Sequence, residues 1–148
     1  MLQDLSKVYL HISFSTLDCQ NMINEAMRKS LEPYTVEALK SVGVDTQKLY
    51  IHTDHLHVLC TMPVHMSANE LVTKIKKPTS RWINKHSDNH FAWQSGYAAF
   101  SVSPLKVGAV CTFLRNQPHH HKNMTWKEEM RIFCDYYDIQ FDESLAWR

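Results

Sequence analysis

Lys48-Leu49-Tyr50-Ile51-His52-Thr53-Asp54-His55-Leu56-His57-Val58-Leu59-Cys60 reads as two extended segments joined by a tight connection at Thr53-Asp54. Alternate side chains of a strand share a face, so His55 and His57 point one way while Leu56 and Val58 point into a core. The connection lacks the Asn-Gly pair that hairpins favour, so the pairing rests on the alternation flanking it. Two imidazoles side by side on a strand can hold one divalent ion, and an ion so placed can polarise a phosphodiester.

Working outward, Val8, Leu10, Ile12 and Phe14 alternate with Tyr9, His11 and Ser13, the pattern of a half-buried first strand. A helix is expected from about Met22 to Ser41, kinked or divided at Pro33. The strand beginning at His55 runs to Met62 and closes at Pro63. Ser67 with Glu70 is a capping-box signature for a helix to about Lys85, with Leu71, Ile75, Trp82 and Ile83 as its buried stripe and a bend at Pro78. Trp93 to Val102 reads as a fourth strand. Ser103-Pro104 opens a helix through about Gln117, and Thr125 with Glu128 caps a last one from Trp126 to Tyr137. This order predicts an α+β fold in one domain over residues 1–148: a ferredoxin-like antiparallel sheet of about four strands, backed by helices.

Composition narrows the function. With three glycines the chain has no glycine-rich phosphate loop. It has no apolar run of membrane-spanning length and no signal peptide ahead of Lys7, which predicts a cytoplasmic protein without a membrane partner. Cys19, Cys60, Cys111 and Cys134 have no CxxC spacing and read as reduced, buried thiols. A net charge of +1 argues against strong non-specific binding to polyanions. Locally, however, Lys74, Lys76, Lys77, Arg81 and Lys85 run without an intervening acid. That run is either a solvated helix face or a track for a phosphate backbone. Trp82, Trp93 and Phe100 read as core, and His119-His120-His121 as a solvated helix end. Asp54 is a turn residue or the carboxylate that orients a neighbouring histidine.

Phe113 and Gln117 lie four residues apart, hence one helical turn from each other. A glutamine carbonyl is a reasonable third ligand, after His55 and His57, for Mg²⁺ or Mn²⁺. A tyrosine one turn before it would be placed to attack a phosphate.

Four segments, Asp54-His55-Leu56-His57-Val58-Leu59, Ser80-Arg81-Trp82-Ile83-Asn84, Trp93-Gln94-Ser95-Gly96-Tyr97-Ala98-Ala99-Phe100-Ser101 and Asn116-Gln117-Pro118-His119-His120, resemble the single-tyrosine HUH transposases, the IS200-like and REP-associated enzymes. The likeness runs in order from about Val8 to Trp147. It implies a dimeric, metal-dependent enzyme that cuts and rejoins single-stranded DNA at hairpin-marked ends through a 5′-phosphotyrosine. It also implies His55, His57 and Gln117 as metal ligands, and a nucleophilic tyrosine four residues before the glutamine. That position is Phe113. A phenyl ring has no oxygen with which to attack phosphorus, and Tyr97, Tyr136 and Tyr137 lie off the spacing. The chain is then either a transposase with its nucleophile substituted or a domesticated, non-catalytic protein that recognises palindromic repeats. A metal-dependent nuclease using bound water is the third reading. In all of them Lys74, Lys76, Lys77, Arg81, Lys85, Arg115 and Lys122 are the candidate contacts to single-stranded DNA hairpins.

Overall fold

Strand β1 (Tyr9–Ser15) lies inside a four-stranded antiparallel sheet of order β2-β3-β1-β4, in which β2 is Thr46–Ile51, β3 is His55–Thr61 and β4 is Ala98–Val102. The computed structural model describes residues 3–148. On one side β1 pairs with β3, placing Ile12 opposite Val58 and Ser13 opposite His57. On the other it pairs with β4, placing His11 opposite Phe100. β2 and β3 form the hairpin that the alternation predicted, closed by His52 N–H donating to the His55 carbonyl at 2.8 Å. Helix α1 (Glu25–Ser41) links β1 to β2, and α2 (Ala68–His86) links β3 to β4. Topology and class are those expected from sequence.

The even-numbered side chains Leu10, Ile12, Phe14, Leu56 and Val58 meet Leu31 and Leu39 of α1 and Leu71, Ile75 and Ile83 of α2 in the main core. The opposite face is covered as well. There α3 (Val107–Arg115), α4 (Gln117–His120) and α5 (Trp126–Tyr136) fold back over the sheet. Leu114 packs with Leu59 and Val102, and Trp126 and Met130 pack with Phe100. Trp126 Nε1–H donates to Ser13 Oγ at 2.8 Å, fastening α5 to the middle of β1. β1 is therefore buried on both faces from Leu10 onward, not half-buried as its alternation suggested.

Other boundaries differ from expectation for local reasons. α1 starts at Glu25, with Asn24 Oδ1 accepting from Met27 N–H, because the amides of Met22 and Ile23 both donate to the Thr53 carbonyl. Pro33 and Pro78 neither divide nor end their helices, which continue as single elements. In each, a buried stripe on both sides of the proline (Leu31, Thr35, Leu39; Ile75, Thr79, Ile83) holds the helix against the sheet. β4 begins at Ala98, and Trp93 makes only an isolated bridge to Thr16. The intervening Gln94, Ser95 and Gly96 turn their carbonyls to the Lys76 ammonium at 2.7, 3.3 and 2.7 Å. Ser103 gives no side-chain cap, and a 3-10 turn over Pro104–Lys106 leads into α3. Thr125 and Glu128 form the reciprocal capping box of α5. A short last helix, α6 (Glu143–Ala146), has too few residues to show a period in the sequence. The four cysteines are free, and of them only Cys60 is fully buried. Among the described residues no helix is long and apolar enough to cross a membrane.

Leu56 and Leu105 separate core from surface: Leu56 is fully buried and Leu105 is 94 % exposed. Leu56→Ala is expected to lower unfolding stability by about 2–5 kcal/mol in urea titrations. Leu105→Ala should change it by less than about 0.5 kcal/mol.

Candidate metal centre

His55 and His57 project from the odd-numbered face of β3 into the space under α4 and α5. Helix α3 ends at Arg115, and Asn116 (φ −90°, ψ 7°) breaks the helical line before the single turn of α4. That break places Gln117 at the start of α4 and His121 at its end, both facing β3. Glu129 reaches the same space from α5, where its neighbour Glu128 is spent on the helix cap.

One donor atom each from His55, His57, His121 and Glu129 lies within 4.8 Å of the others, a cluster that could hold a metal ion. All are shut away from solvent: their side chains are 0 %, 0 %, 5 % and 3 % exposed. Gln117, also fully buried, crosses the cluster. Its Oε1 is 3.2 Å from His55 Nε2 and 2.7 Å from His121 Nε2, and its amide N–H donates to Glu129 Oε2 at 2.9 Å. Each histidine is gripped from behind. His55 Nδ1 is 2.6 Å from Asp54 Oδ1, His57 Nδ1 is 2.8 Å from His11 Nε2, and His121 Nδ1 is 2.7 Å from the Met124 carbonyl. Outer partners of this kind fix ring orientation and tautomer in metal-binding histidines.

The fit to a cation is clearest between His57 and Glu129. His57 Nε2 and Glu129 Oε1 are 2.7 Å apart, yet neither atom makes a well-directed hydrogen bond. His57 Nδ1 and His11 Nε2 share one proton across 2.8 Å, and in the tautomer in which His57 donates it, His57 Nε2 turns a lone pair towards a carboxylate oxygen. Two buried lone pairs so close repel unless a positive charge lies between them. A metal ion supplies that charge, and imidazole nitrogen with carboxylate oxygen is a donor set metals accept.

Titration follows the same geometry. Burial is the main cause that lowers His57 to about 4 and His11 to about 3. His52, whose ring lies 5.0 Å from that of His55, is lowered to about 4 by burial and then by His55 and His121. Burial pushes the Glu129 carboxyl up, but the His121 and His57 rings and the Gln117 amide against it outweigh that and hold the group well below the usual carboxylate range. For His121 burial pulls downward, and the Glu129 carboxylate reverses that, so its value is raised.

Residues 4–117 match the family described as transposase IS200 like. The chain belongs to that family. Among solved structures it is similar to a proposed transposase from Deinococcus radiodurans R1, with a TM-score of 0.63 and 15 % identity over 79 % of this chain and 98 % of that one. It is also similar to a REP-associated tyrosine transposase bound to a REP hairpin, with a TM-score of 0.61 and 10 % identity over 82 % of this chain and 73 % of that one. At those identities the two structures speak for the fold. No curated protein matches the chain.

For this transposase-family chain, the structure brings His55, His57 and Gln117 together and sets the Phe113 ring edge-on to His57, with centroids 5.8 Å apart, within one chain. It carries the α2 cations elsewhere. Lys74, Lys77, Arg81 and Lys85 are exposed on a helix packed on the far face of the sheet from the cluster. Lys76 is turned inward onto backbone carbonyls, and burial lowers it to about 8. Arg115 and Lys122 are exposed in the helical layer that covers the cluster. Sequence reading missed three residues: His11, His121 and Glu129. His121 was grouped with a solvated triplet, and the triplet does splay: His119 is exposed, His120 packs on Phe113, and His121 alone turns in. For His11, the signal was its place on the same strand face as Ser13, which the register sets opposite His57.

These values give a pH dependence. An unfolded histidine takes its proton near pH 6.5. Below that, down to about 4, the unfolded chain binds protons that folded His57 and His11 refuse, so stability falls as pH falls. Glu129 acts in the same direction, because its folded value is depressed and its contribution is lost on acidification. His121 has the opposite sign: its contribution is full below its unfolded value and is lost as pH rises through the raised folded one. The urea midpoint of the metal-free protein should therefore drop steadily from about pH 7 to about pH 4. A flat profile would mean that the buried rings are not neutral.

Proposed function

We propose that this chain binds hairpin-forming single-stranded DNA and does not cut it. The observation that carries this reading is the Phe113 ring against His57: the residue one turn before Gln117 is beside the metal cluster and carries no oxygen. The resemblance to single-tyrosine enzymes puts the attacking phenol at that position. The burial of the three imidazoles supports the same conclusion, since a phosphodiester must reach an ion to be polarised by it, and of the four cluster residues Glu129 alone borders the groove beside Phe113.

His55, His57 and Gln117, with His121 and Glu129 beside them, are the residues that would hold a divalent ion, Mn²⁺ rather than Mg²⁺ if the choice lies between the two, because imidazole suits manganese better. Bound there, such an ion supplies Lewis acidity and fixed positive charge. The chain's own residues do the rest. Asp54 and His11 orient the two strand histidines, and the Glu129 carboxylate offsets positive charge in the cluster. Next to Phe113 a groove of about 720 Å³ opens between α3 and α5, with Phe133, Tyr136 and Tyr137 on its walls. Aromatic faces of this kind take unpaired bases by stacking. Lys106 at the groove, with Arg115 and Lys122, would meet the phosphates on this side. Lys74, Lys77, Arg81 and Lys85 form a separate basic face that a longer strand or a second copy of the chain would have to bring into use. The neighbour bound to a REP hairpin supports a hairpin as the form of DNA.

Fluorescence anisotropy with hairpin-bearing single strands tests binding. The logarithm of affinity should fall linearly with log salt, by about 0.7 for each single-strand phosphate neutralised. Arg115→Ala and Lys122→Ala should each make that slope shallower. Binding that ignores salt would refute the phosphate contacts. At protein concentrations where the hairpin is bound, denaturing gels with Mn²⁺ should show no protein-linked DNA, either for the chain as it stands or for Phe113→Tyr. A covalent band from the variant would instead make this a transposase lacking only its nucleophile.

A further inference from the structure

We propose that His121 and Glu129 join His55 and His57 in a closed centre of three imidazoles and one carboxylate. The centre selects a zinc-type transition ion over Mg²⁺ and uses it to staple the C-terminal helices to the sheet. The inference rests on the metal part of the reading above and not on DNA binding.

Three observations carry it. The first is the direction of the rings. With Nδ1 of His55, His57 and His121 each engaged from behind by Asp54, His11 and the Met124 carbonyl, all three Nε2 atoms turn inward towards Glu129. That is the arrangement a histidine-rich ion site requires, with an outer partner behind every ligand ring. The second is donor chemistry and access. Magnesium seeks oxygen donors and keeps several waters, whereas three nitrogens and a carboxylate oxygen, bordered by the groove only at Glu129, suit a four-coordinate ion such as Zn²⁺ or Co²⁺. A site filled by four protein ligands is of the structural type, and catalytic sites keep a position open.

The third observation is where the ligands come from. His55 and His57 belong to β3, His121 caps the C-terminus of α4, and Glu129 lies on α5. An ion there ties three elements across the Lys122–Thr125 connection, beside the Trp126–Ser13 bond. Both added ligands lie beyond residues 4–117, outside the segment that matches the family. His55, His57 and Gln117 fall within that segment, and the two residues that would close the site fall outside it. Gln117 keeps a bracing role, its amide spanning His55, His121 and Glu129.

The test uses the full chain without DNA, so failure of hairpin binding leaves it undisturbed. Chelator-treated protein is titrated with Co²⁺ and then with Zn²⁺. The expected result is one ion per chain, with the intense visible absorption of four-coordinate Co²⁺. Zn²⁺ should bleach it, and a thousandfold excess of Mg²⁺ should leave it unchanged. Glu129→Gln and His121→Ala should each weaken Co²⁺ binding by at least the roughly 10–100-fold that loss of an outer partner costs. The thermal midpoint should rise with Zn²⁺ in the parent chain and much less in either variant. The pale spectrum of six-coordinate Co²⁺, ready displacement by Mg²⁺, or full affinity in both variants would overturn the proposal. The spectrum of the unaltered chain decides the coordination even if a variant fails to fold.

Discussion

The pairing of β1 with β3 is the constraint on which the rest of the structure depends. Its register sets Ile12 opposite Val58 on one face and Ser13 opposite His57 on the other. A shift by one residue would send Leu56 and Val58 out of the main core and drive His55 and His57 into it. The same register brings His11 within 2.8 Å of His57 and places Ser13 Oγ under the Trp126 indole. Strand pairing thus fixes the apolar core, the imidazole pair and the docking point of α5 together.

Above that frame, the helical layer gathers an unusual quantity of polar chemistry out of water. Three histidines, a glutamine and a glutamate share a buried space, where each unpaired group carries a desolvation cost. Most of that cost is offset by Asp54, the Met124 carbonyl and the Gln117 amide. What remains is the close contact of His57 with Glu129, which a proton on Nε2 or a bound cation resolves. The cluster is buried but for the edge of Glu129 on the groove beside Phe113, and its imidazoles and carboxylate suit holding an ion. The family is that of the IS200-like transposases, and the residue whose ring lies against His57 is a phenylalanine.

Much of this was legible in the residues. Period-two alternation located the strands of the hairpin, and the Ser67–Glu70 and Thr125–Glu128 signatures marked where α2 and α5 begin. These are local signals, carried by neighbours in the chain. Pro33 does not divide α1, because a helix packed on both sides of a proline tolerates the one hydrogen bond it loses. Lys76 misled because a lysine in a basic run looks solvated until a loop folds its carbonyls over the ammonium.

The sequence by itself determined the α+β order, the shared face of His55 and His57, and the single turn between Phe113 and Gln117. Each is a matter of residue identity or of spacing within one element. Only the tertiary structure decided that His121 and Glu129 belong with the strand histidines, that His11 stands behind His57, and that the α2 cations lie on the far face of the sheet. Those relations depend on how separate elements pack, because the cluster is assembled from β1, β3, α4 and α5 by strand register and helix docking. No local period along the chain encodes a contact between residues brought together only by folding.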